Sequence, residues 1–188
     1  MLQVDQLSLG RGGRLIQQDL SFSLQSGDVL QLLGPNGVGK STVLHAVAGL
    51  LEPETGEVQW QSQPIFSNAD EWHRSLFFLP HKLPAHPVLT PVEVLRDSLA
   101  LKGLKPSATQ IDEALLAVDL LDHADQAAGS LSAGQQRRIW LARLVLSLRL
   151  LQSERLWLLD EPLPSLDKQA RALGFDLLQQ HTARGAMT

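Results

Sequence analysis

Short apolar runs alternate with longer amphipathic stretches along most of the chain. Residues 21–24 read polar, apolar, polar, apolar, which is typical of a half-buried strand, whereas residues 156–159 are wholly apolar, as in a strand buried on both faces. The predicted strands are residues 2–9, 19–24, 29–33, 58–61, 75–79 and 156–159, and the predicted helices are residues 40–51, 92–101, 110–121, 132–153 and 168–181. This succession of strands and helices predicts an α/β fold with a mainly parallel sheet covered on both faces.

The stretch between residues 80 and 129 differs from the rest of the chain. Prolines at positions 80, 84, 87 and 91 interrupt it, and helical spacing then replaces the strand pattern. We expect one domain over residues 1–188, with a β/α core formed by residues 1–82 and 131–188 and a helical subdomain inserted at about residues 83–130. The core begins with an antiparallel β unit, because a glycine-rich turn at residues 10–13 joins its first two strands.

The composition narrows the class of protein without indicating its chemistry. The 188 residues carry 16 basic and 20 acidic side chains, a formal charge of −4, which argues against a dedicated nucleic-acid-binding surface. The lack of cysteine excludes disulfides, thiolate metal sites and cysteine nucleophiles. The sequence shows no signal-peptide pattern and no apolar run of membrane-spanning length, so we expect a soluble cytosolic domain.

Residues 34–41, Gly-Pro-Asn-Gly-Val-Gly-Lys-Ser, match the phosphate-binding loop (P-loop) pattern G-x-x-x-x-G-K-[ST] between a predicted strand and a predicted helix. Glycines let the backbone curl with its N–H groups pointing at anionic oxygens, and the positive end of the following helix adds to the attraction. Lys40 supplies a positive charge for the β- and γ-phosphates, and Ser41 offers a hydroxyl to Mg²⁺. The pattern predicts nucleotide binding.

Two carboxylates, Asp160 and Glu161, directly follow the apolar strand at residues 156–159. Ligands bind at the carboxyl edge of open parallel sheets, so Asp160 is placed to hold Mg²⁺. Glu161, one residue further on, can orient or deprotonate an attacking water. Together with the P-loop, this pair predicts nucleotide hydrolysis.

A third motif lies between these two along the chain. Residues 131–138 read Leu-Ser-Ala-Gly-Gln-Gln-Arg-Arg, and Ser132 is placed to N-cap the helix that follows. The order and spacing of the P-loop, this signature segment, the Leu-Leu-Asp-Glu-Pro run at 158–162 and Ser-Leu-Asp at 165–167 resemble those of the ATP-binding-cassette (ABC) ATPases, from residue 2 to the end. The signature segment, residues 72–76 and residues 180–182 are further similar to the haem-exporter ATPase subunits of cytochrome c maturation.

The resemblance implies a P-loop NTPase fold of the ABC type and hydrolysis of ATP with Mg²⁺, coupled to transport through integral-membrane permease subunits. It also implies a homodimer with ATP between the P-loop of one subunit and the signature segment of the other, at the cytoplasmic face of the cell membrane. Asp167 would lie in a loop that couples the two ATP sites. The nucleotide-binding residues are then Asn36, Gly37, Val38, Gly39, Lys40, Ser41, Thr42, Ser132, Gly134, Gln135 and Arg11, the metal ligands Ser41 and Asp160, and the catalytic residues Glu161 and His81.

Three positions depart from the ABC pattern. The glutamine expected after the 75–79 strand aligns best with His81, with an incidental loop histidine as the alternative, and Lys82 is the next candidate. The aromatic residue that stacks on adenine is missing, and Arg11 falls near its position, where it is either a stacking guanidinium or a solvated turn residue. The switch histidine is also missing, because its strand would follow Thr188, and His181 at a helix end is not expected to replace it.

The resemblance implies that this missing strand belongs between the strand before Lys40 and the strand before Asp160. We therefore expect unpaired backbone groups inside the sheet, and a chain that is truncated or interrupted, or whose last strand is supplied differently. Other functions stay open: a nucleotide-binding interaction module with impaired turnover, or an ABC ATPase for another substrate or for a soluble process.

Overall fold

The computed structural model describes residues 1–81, 87–150 and 155–188, with the side chains of Arg11 and Arg14 left aside. The strands are β1 (Leu2–Arg11), β2 (Arg14–Leu24), β3 (Thr55–Trp60), β4 (Gln63–Pro64), β5 (Leu76–Leu79) and β6 (Leu156–Leu159). The helices are α1 (Lys40–Val47), α2 (Ala69–Ser75), α3 (Pro91–Ala100), α4 (Ala108–Ala117), α5 (Ala133–Leu150) and α6 (Lys168–Ala183), with short 3₁₀ turns at Leu121–His123 and Ala128–Ser130.

The chain forms two compact units. The first unit comprises Met1–Phe78, Ser153–Asp160 and Thr182–Thr188, and the second unit comprises Leu79–Gln152 and Glu161–His181. Residues 161–181 thus belong with the helices of the second unit, whereas the predicted division placed them in the β/α core. The inserted helical subdomain at about residues 83–130 stays a prediction.

The antiparallel sheet of the first unit has the strand order β2-β1-β3-β4. Leu2 and Val4 are buried, and so are Leu7 and Leu9, which a strict two-residue period would place on the opposite face. A register shift between Val4 and Leu7, with Gln6 at φ 46°, inserts the extra residue that brings all four onto the core face. The predicted antiparallel β unit is confirmed, although β2 begins at Arg14 rather than residue 19.

A second sheet pairs β5, of which Leu76–Phe78 belong to the first unit, with β6 of the same unit, and the last residues of the chain lie beside β6. Met187 pairs in parallel with Leu156: its N–H donates to Arg155 O at 2.7 Å, and its carbonyl accepts from Trp157 N at 2.9 Å. On the other side, Thr188 N donates to Asp28 O at 3.0 Å and Thr188 O accepts from Leu30 N at 2.8 Å. Residues 187 and 188 therefore lie between residues 28–30 and β6.

This placement corrects two expectations. The position between the P-loop segment and β6 is not empty, because residues 187 and 188 pair there with residues on both sides. The strand predicted at residues 29–33 is wrong, since within residues 28–33 only Asp28 and Leu30 have ladder hydrogen bonds to described residues, and Val29 and Leu33 are exposed. An apolar run becomes a strand only where a partner satisfies its backbone groups.

The helices of the second unit begin at side-chain caps that their sequences specify. Thr90 and Glu93 form a capping box on α3, with Pro91 in the first turn, and Ser107 and Gln110 form another on α4. Buried leucines and isoleucines on one face of each helix form the core of this unit, and they include Leu95, Leu99, Ile111, Leu115 and Ile139. The predicted helix at 132–153 is confirmed as far as Leu150, and its remainder falls in residues 151–154, outside the described part.

Candidate nucleotide-binding site

The P-loop of the first unit has the backbone that its glycines permit. Gly37 and Gly39 lie at φ 81° and 107°, in the left-handed region that side chains other than glycine disfavour. Gly39 caps the N-terminus of α1, and a Cβ there would lie 2.5 Å from Ile16 Cγ2. Residues 34–38 are exposed, so the loop stays accessible to a ligand at the positive end of α1.

The Lys40 ammonium is held by carbonyls of the same loop. Its Nζ donates to Gly34 O at 2.9 Å and to Pro35 O at 3.0 Å, which bends the side chain back along the loop. Ser41 is exposed and Thr42 half-buried in the first turn of α1. A cation, a hydroxyl and backbone N–H groups thus lie along one short segment, as phosphate binding requires.

Asp160, also in the first unit, is 4% exposed directly after β6. Within the described residues its carboxylate has no hydrogen bond and no ion pair. A buried ionised carboxylate without a partner is costly, and a hard divalent cation with oxygen ligands would relieve that cost. The residues present therefore fit a Mg²⁺ ion at Asp160, with the Ser41 hydroxyl as a second protein oxygen.

The second unit brings together the two predicted catalytic residues. His81 Nδ1 lies 3.4 Å from Glu161 Oε2, and both side chains are about half exposed. Glu161 has φ 51°, a left-handed backbone that costs free energy for a residue with a side chain. Arg137 Nη1 donates to His81 O at 3.0 Å and so fixes the backbone that carries the imidazole.

The signature segment, residues 131–138, begins α5 through a capping box. Ser132 Oγ accepts from Gln135 N at 3.2 Å, and Gln135 Oε1 accepts from Ser132 N at 2.8 Å, which confirms the predicted N-cap. The Gln135 amide nitrogen lies 2.8 Å from His123 Nε2. At Gly134, a Cβ would meet Ser165 O at 3.4 Å. The two side-chain partners of Gln135, Ser132 and His123, both lie in the second unit.

Arg138 joins the signature helix to the loop before α6, a role that the sequence reasoning missed. Its guanidinium donates to Asp167 Oδ2 at 2.5 Å and to Asp119 Oδ2 at 2.7 Å, and it also binds the carbonyls of Val118 and Asp119. The Ala170 N–H, as first cause, and the Arg138 guanidinium hold the pKa of Asp167 below its ordinary value. The Arg-Arg pair at 137–138 was the only signal in the sequence, and it does not specify these partners.

His123 is the other residue that the sequence reasoning missed, and no motif includes it.

The predicted adenine-stacking role of Arg11 falls on a side chain outside the described ones, and Lys82 also lies outside the described residues. Among the described residues, no helix is long and apolar enough to cross a membrane.

Comparison with known proteins agrees with this site. Residues 17–164 match the family described as ABC transporter. The cytochrome c biogenesis ATP-binding export protein CcmA of Vibrio cholerae is 40% identical over 187 residues, covering 100% of this chain and 88% of that protein. The protein of the same name from Aromatoleum aromaticum is 38% identical, covering 100% and 86%.

Two solved structures share the fold. The ATP-binding subunit of an ABC transporter superposes with a TM-score of 0.82 at 24% identity, covering 100% of this chain and 77% of that chain. A dimeric ATP-binding cassette in a post-hydrolysis state, bound to ADP and Pi, gives a TM-score of 0.82 at 23% identity, covering 100% and 85%. Both likenesses confirm the expected α/β P-loop fold.

The P-loop geometry and the buried acid after β6 are those of a P-loop nucleotide-binding protein. Within that class, this chain belongs to the ABC transporter family, as a nucleotide-binding ATPase of the ABC type.

Proposed function

We propose that this chain hydrolyses ATP to drive the export step of cytochrome c biogenesis, with haem as the exported cargo. The observation that carries the proposal is the 38–40% identity, over nearly the whole chain, to ATP-binding export proteins of cytochrome c biogenesis. The P-loop, Asp160 and Glu161 occur in the same chain and supply the chemistry that ATP hydrolysis needs.

The phosphates of ATP bind to the backbone N–H groups of residues 36–42 and to Lys40. The ammonium exchanges its two loop carbonyls, Gly34 O and Pro35 O, for phosphate oxygens, which carry full negative charge and therefore attract it more strongly. Asn36, Gly37, Val38, Gly39 and Thr42 contribute through the loop and the first turn of α1.

Ser41 and Asp160 would hold Mg²⁺, which would neutralise phosphate charge. Glu161 orients the attacking water and accepts its proton. His81 Nδ1 lies 3.4 Å from Glu161 Oε2, and this electrostatic contact favours one orientation of the carboxylate.

Two copies of the chain act together, with ATP between the P-loop of one and the signature segment of the other. Ser132, Gly134 and Gln135 form the phosphate-facing end of that segment, and the Ser132 hydroxyl is exposed there. The dimer acts on integral-membrane permease subunits from the cytoplasmic face of the membrane.

Nucleotide binding and turnover on the purified chain test the core of the proposal. Lys40→Met removes the phosphate-binding charge, so we expect loss of ATP binding by calorimetry and loss of phosphate release. Lys105→Met, an exposed loop lysine, is the matched control and should leave both unchanged.

Two outcomes contradict the proposal. Turnover retained in Lys40→Met would show that the P-loop is not the hydrolytic site. ATP binding without turnover in the wild type, alone and with its permease, would favour a nucleotide-dependent interaction module. Haem as cargo is tested separately, by restoration of c-type cytochromes in cells that lack their own such subunit.

A further inference from the structure

His123 lies outside every motif but contacts the signature segment. It belongs to the 3₁₀ turn Leu121–His123 that follows α4, and its Nε2 is 2.8 Å from the amide nitrogen of Gln135. Its other ring nitrogen, Nδ1, is buried and has no hydrogen-bond partner within the described part of the chain. The contact at Nε2 therefore decides which ring nitrogen carries the hydrogen.

The capping box determines which atoms of Gln135 face which partner. The backbone N–H of Ser132 is a donor, so the atom 2.8 Å from it must be the Gln135 carbonyl oxygen. The amide NH₂ of Gln135 therefore points at His123. Since that group only donates, His123 Nε2 must accept, and the neutral ring must carry its hydrogen on Nδ1.

We infer that His123, as the neutral Nδ1–H tautomer, is a positioning residue for the signature segment. By accepting from Gln135, it fixes the amide that completes the cap at Ser132 N. The Ser132 Oγ accepts from Gln135 N at 3.2 Å, and it donates no hydrogen bond within the described residues. Its hydroxyl hydrogen is thus left for an anionic oxygen, which is the role that the proposed function gives to Ser132, and the inference rests on that function.

Loss of the acceptor at His123 has a definite consequence. Without it, the Gln135 amide is free to rotate, and a rotated amide would turn its NH₂ group toward Ser132 N–H, donor against donor. The cap at Ser132 is then lost, and the serine hydroxyl is no longer held in one place. The P-loop lies in the first unit and its own contacts do not involve His123, so nucleotide binding to a single subunit should not change.

Enzyme kinetics on the full chain test the inference. His123→Phe keeps a ring of similar shape without nitrogen, and we expect kcat to fall about tenfold, the equivalent of one hydrogen bond, with an unchanged Kd for ATP. His123→Gln places a carbonyl oxygen near the position of Nε2 and should restore kcat to within about threefold of the wild type. The control is Asp122→Asn, an exposed neighbour in the same turn, which should leave kcat unchanged.

A long-range proton–nitrogen NMR spectrum shows directly which ring nitrogen of His123 carries the hydrogen. A histidine that only fills space would not require one particular tautomer. The resonances of His123 are identified by their loss in His123→Phe, and we expect a protonated Nδ1 and an unprotonated Nε2 at neutral pH. An Nε2–H tautomer, or an imidazolium, overturns the inference. So does a wild-type kcat in His123→Phe.

The two proposals fail in different ways. A wild-type chain without ATP turnover contradicts the proposed function, whereas turnover that survives in His123→Phe contradicts only the role of His123. If His123→Phe does not fold, His123→Gln decides: near-normal turnover supports the inference, and a tenfold loss in a folded His123→Gln protein overturns it.

Discussion

His81 Nδ1 lies 3.4 Å from Glu161 Oε2, although 80 residues separate the two along the chain. His81 occupies the position where ABC ATPases are expected to carry glutamine. Glu161 occupies the position that is expected to activate water. Glu161 is also held at φ 51°, so its side chain leaves the backbone in a direction that an extended strand end would not give. In the proposed function, the contact with His81 and the constrained backbone together orient the Glu161 carboxylate as the general base.

Glu161→Gln should abolish turnover while ATP binding survives. The amide has nearly the shape of the carboxylate but cannot accept a proton from water, and a loss of at least about a hundredfold in kcat is expected for a general base. ATP should accumulate unhydrolysed, and the homodimer should become detectable by light scattering. Asp176→Asn, an exposed acid on α6, is the matched control. Wild-type hydrolysis in Glu161→Gln would exclude this residue as the base.

His81→Leu should lower kcat about tenfold and leave the KM for ATP unchanged, because the lost contact with Glu161 acts on the proposed base and not on the phosphates. His81→Gln supplies an amide donor in place of the imidazole and should recover most of the rate. A raised KM with normal kcat in His81→Leu would assign His81 to nucleotide binding instead.

Local features of this chain could be predicted from the sequence because local residues determine them. The P-loop glycines, the Ser132 cap and the antiparallel β unit depend on a few neighbouring positions. Helix α2 was missed, yet Asn68 and Glu71 carry a capping signal, with Asn68 Oδ1 accepting from Glu71 N.

Features that depend on distant partners could not be predicted. The apolar run at residues 29–33 has the composition of a strand, but a strand forms only where a partner pairs with its backbone. The available partner, Thr188, lies more than 150 residues away and hydrogen-bonds only to Asp28 and Leu30 in this segment. The partners of Gln135 and Arg138 likewise come from residues that no motif includes, His123 and Asp119.

Gly56 should be far less tolerant of substitution than Gly12. Both have left-handed φ angles, 80° and 60°, so alanine at either position costs about 1–2 kcal/mol in backbone strain. At Gly56 a Cβ would also lie 2.3 Å from Gln6 O and 2.4 Å from Asp5 O, and backbone atoms cannot move aside cheaply, whereas nothing lies within 4 Å at Gly12. Urea unfolding should show Gly56→Ala to be at least about 2 kcal/mol less stable than Gly12→Ala. Equal midpoints would contradict the close approach of β3 to β1.

Asp167 should stabilise the chain down to low pH. The Ala170 N–H and then Arg138 hold the pKa of Asp167 below 3.8, so its contribution is fully present above 3.8 and is lost as the pH falls through the lower folded value. The difference in Tm between the wild type and Asp167→Asn should therefore stay constant between about pH 5 and 8 and close only in stronger acid. A difference that closes between pH 7 and 5 would show that the carboxylate is not held by these donors.

Met187 should behave as a core residue although it is the penultimate residue of the chain. It is 3% exposed, pairs with Arg155 and Trp157 through its backbone, and belongs to the same hydrophobic core as Leu156 and Leu158. Met187→Ala should cost about 2–5 kcal/mol in unfolding free energy, because it leaves a cavity, whereas Met187→Leu conserves volume and should cost less than about 1.5 kcal/mol.

The two methionines of the sequence allow a test of this burial without mutation, since Met1 is 45% exposed and Met187 is buried. Peroxide should convert Met1 to the sulfoxide well before Met187, as read by peptide mass after brief exposure, because oxidation follows solvent access. In urea, where the chain is unfolded, the two methionines should be oxidised at the same rate. If Met187 oxidises as fast as Met1 in the native protein, the last residues do not lie between residues 28–30 and β6, and the sheet that carries Asp160 is open on that side.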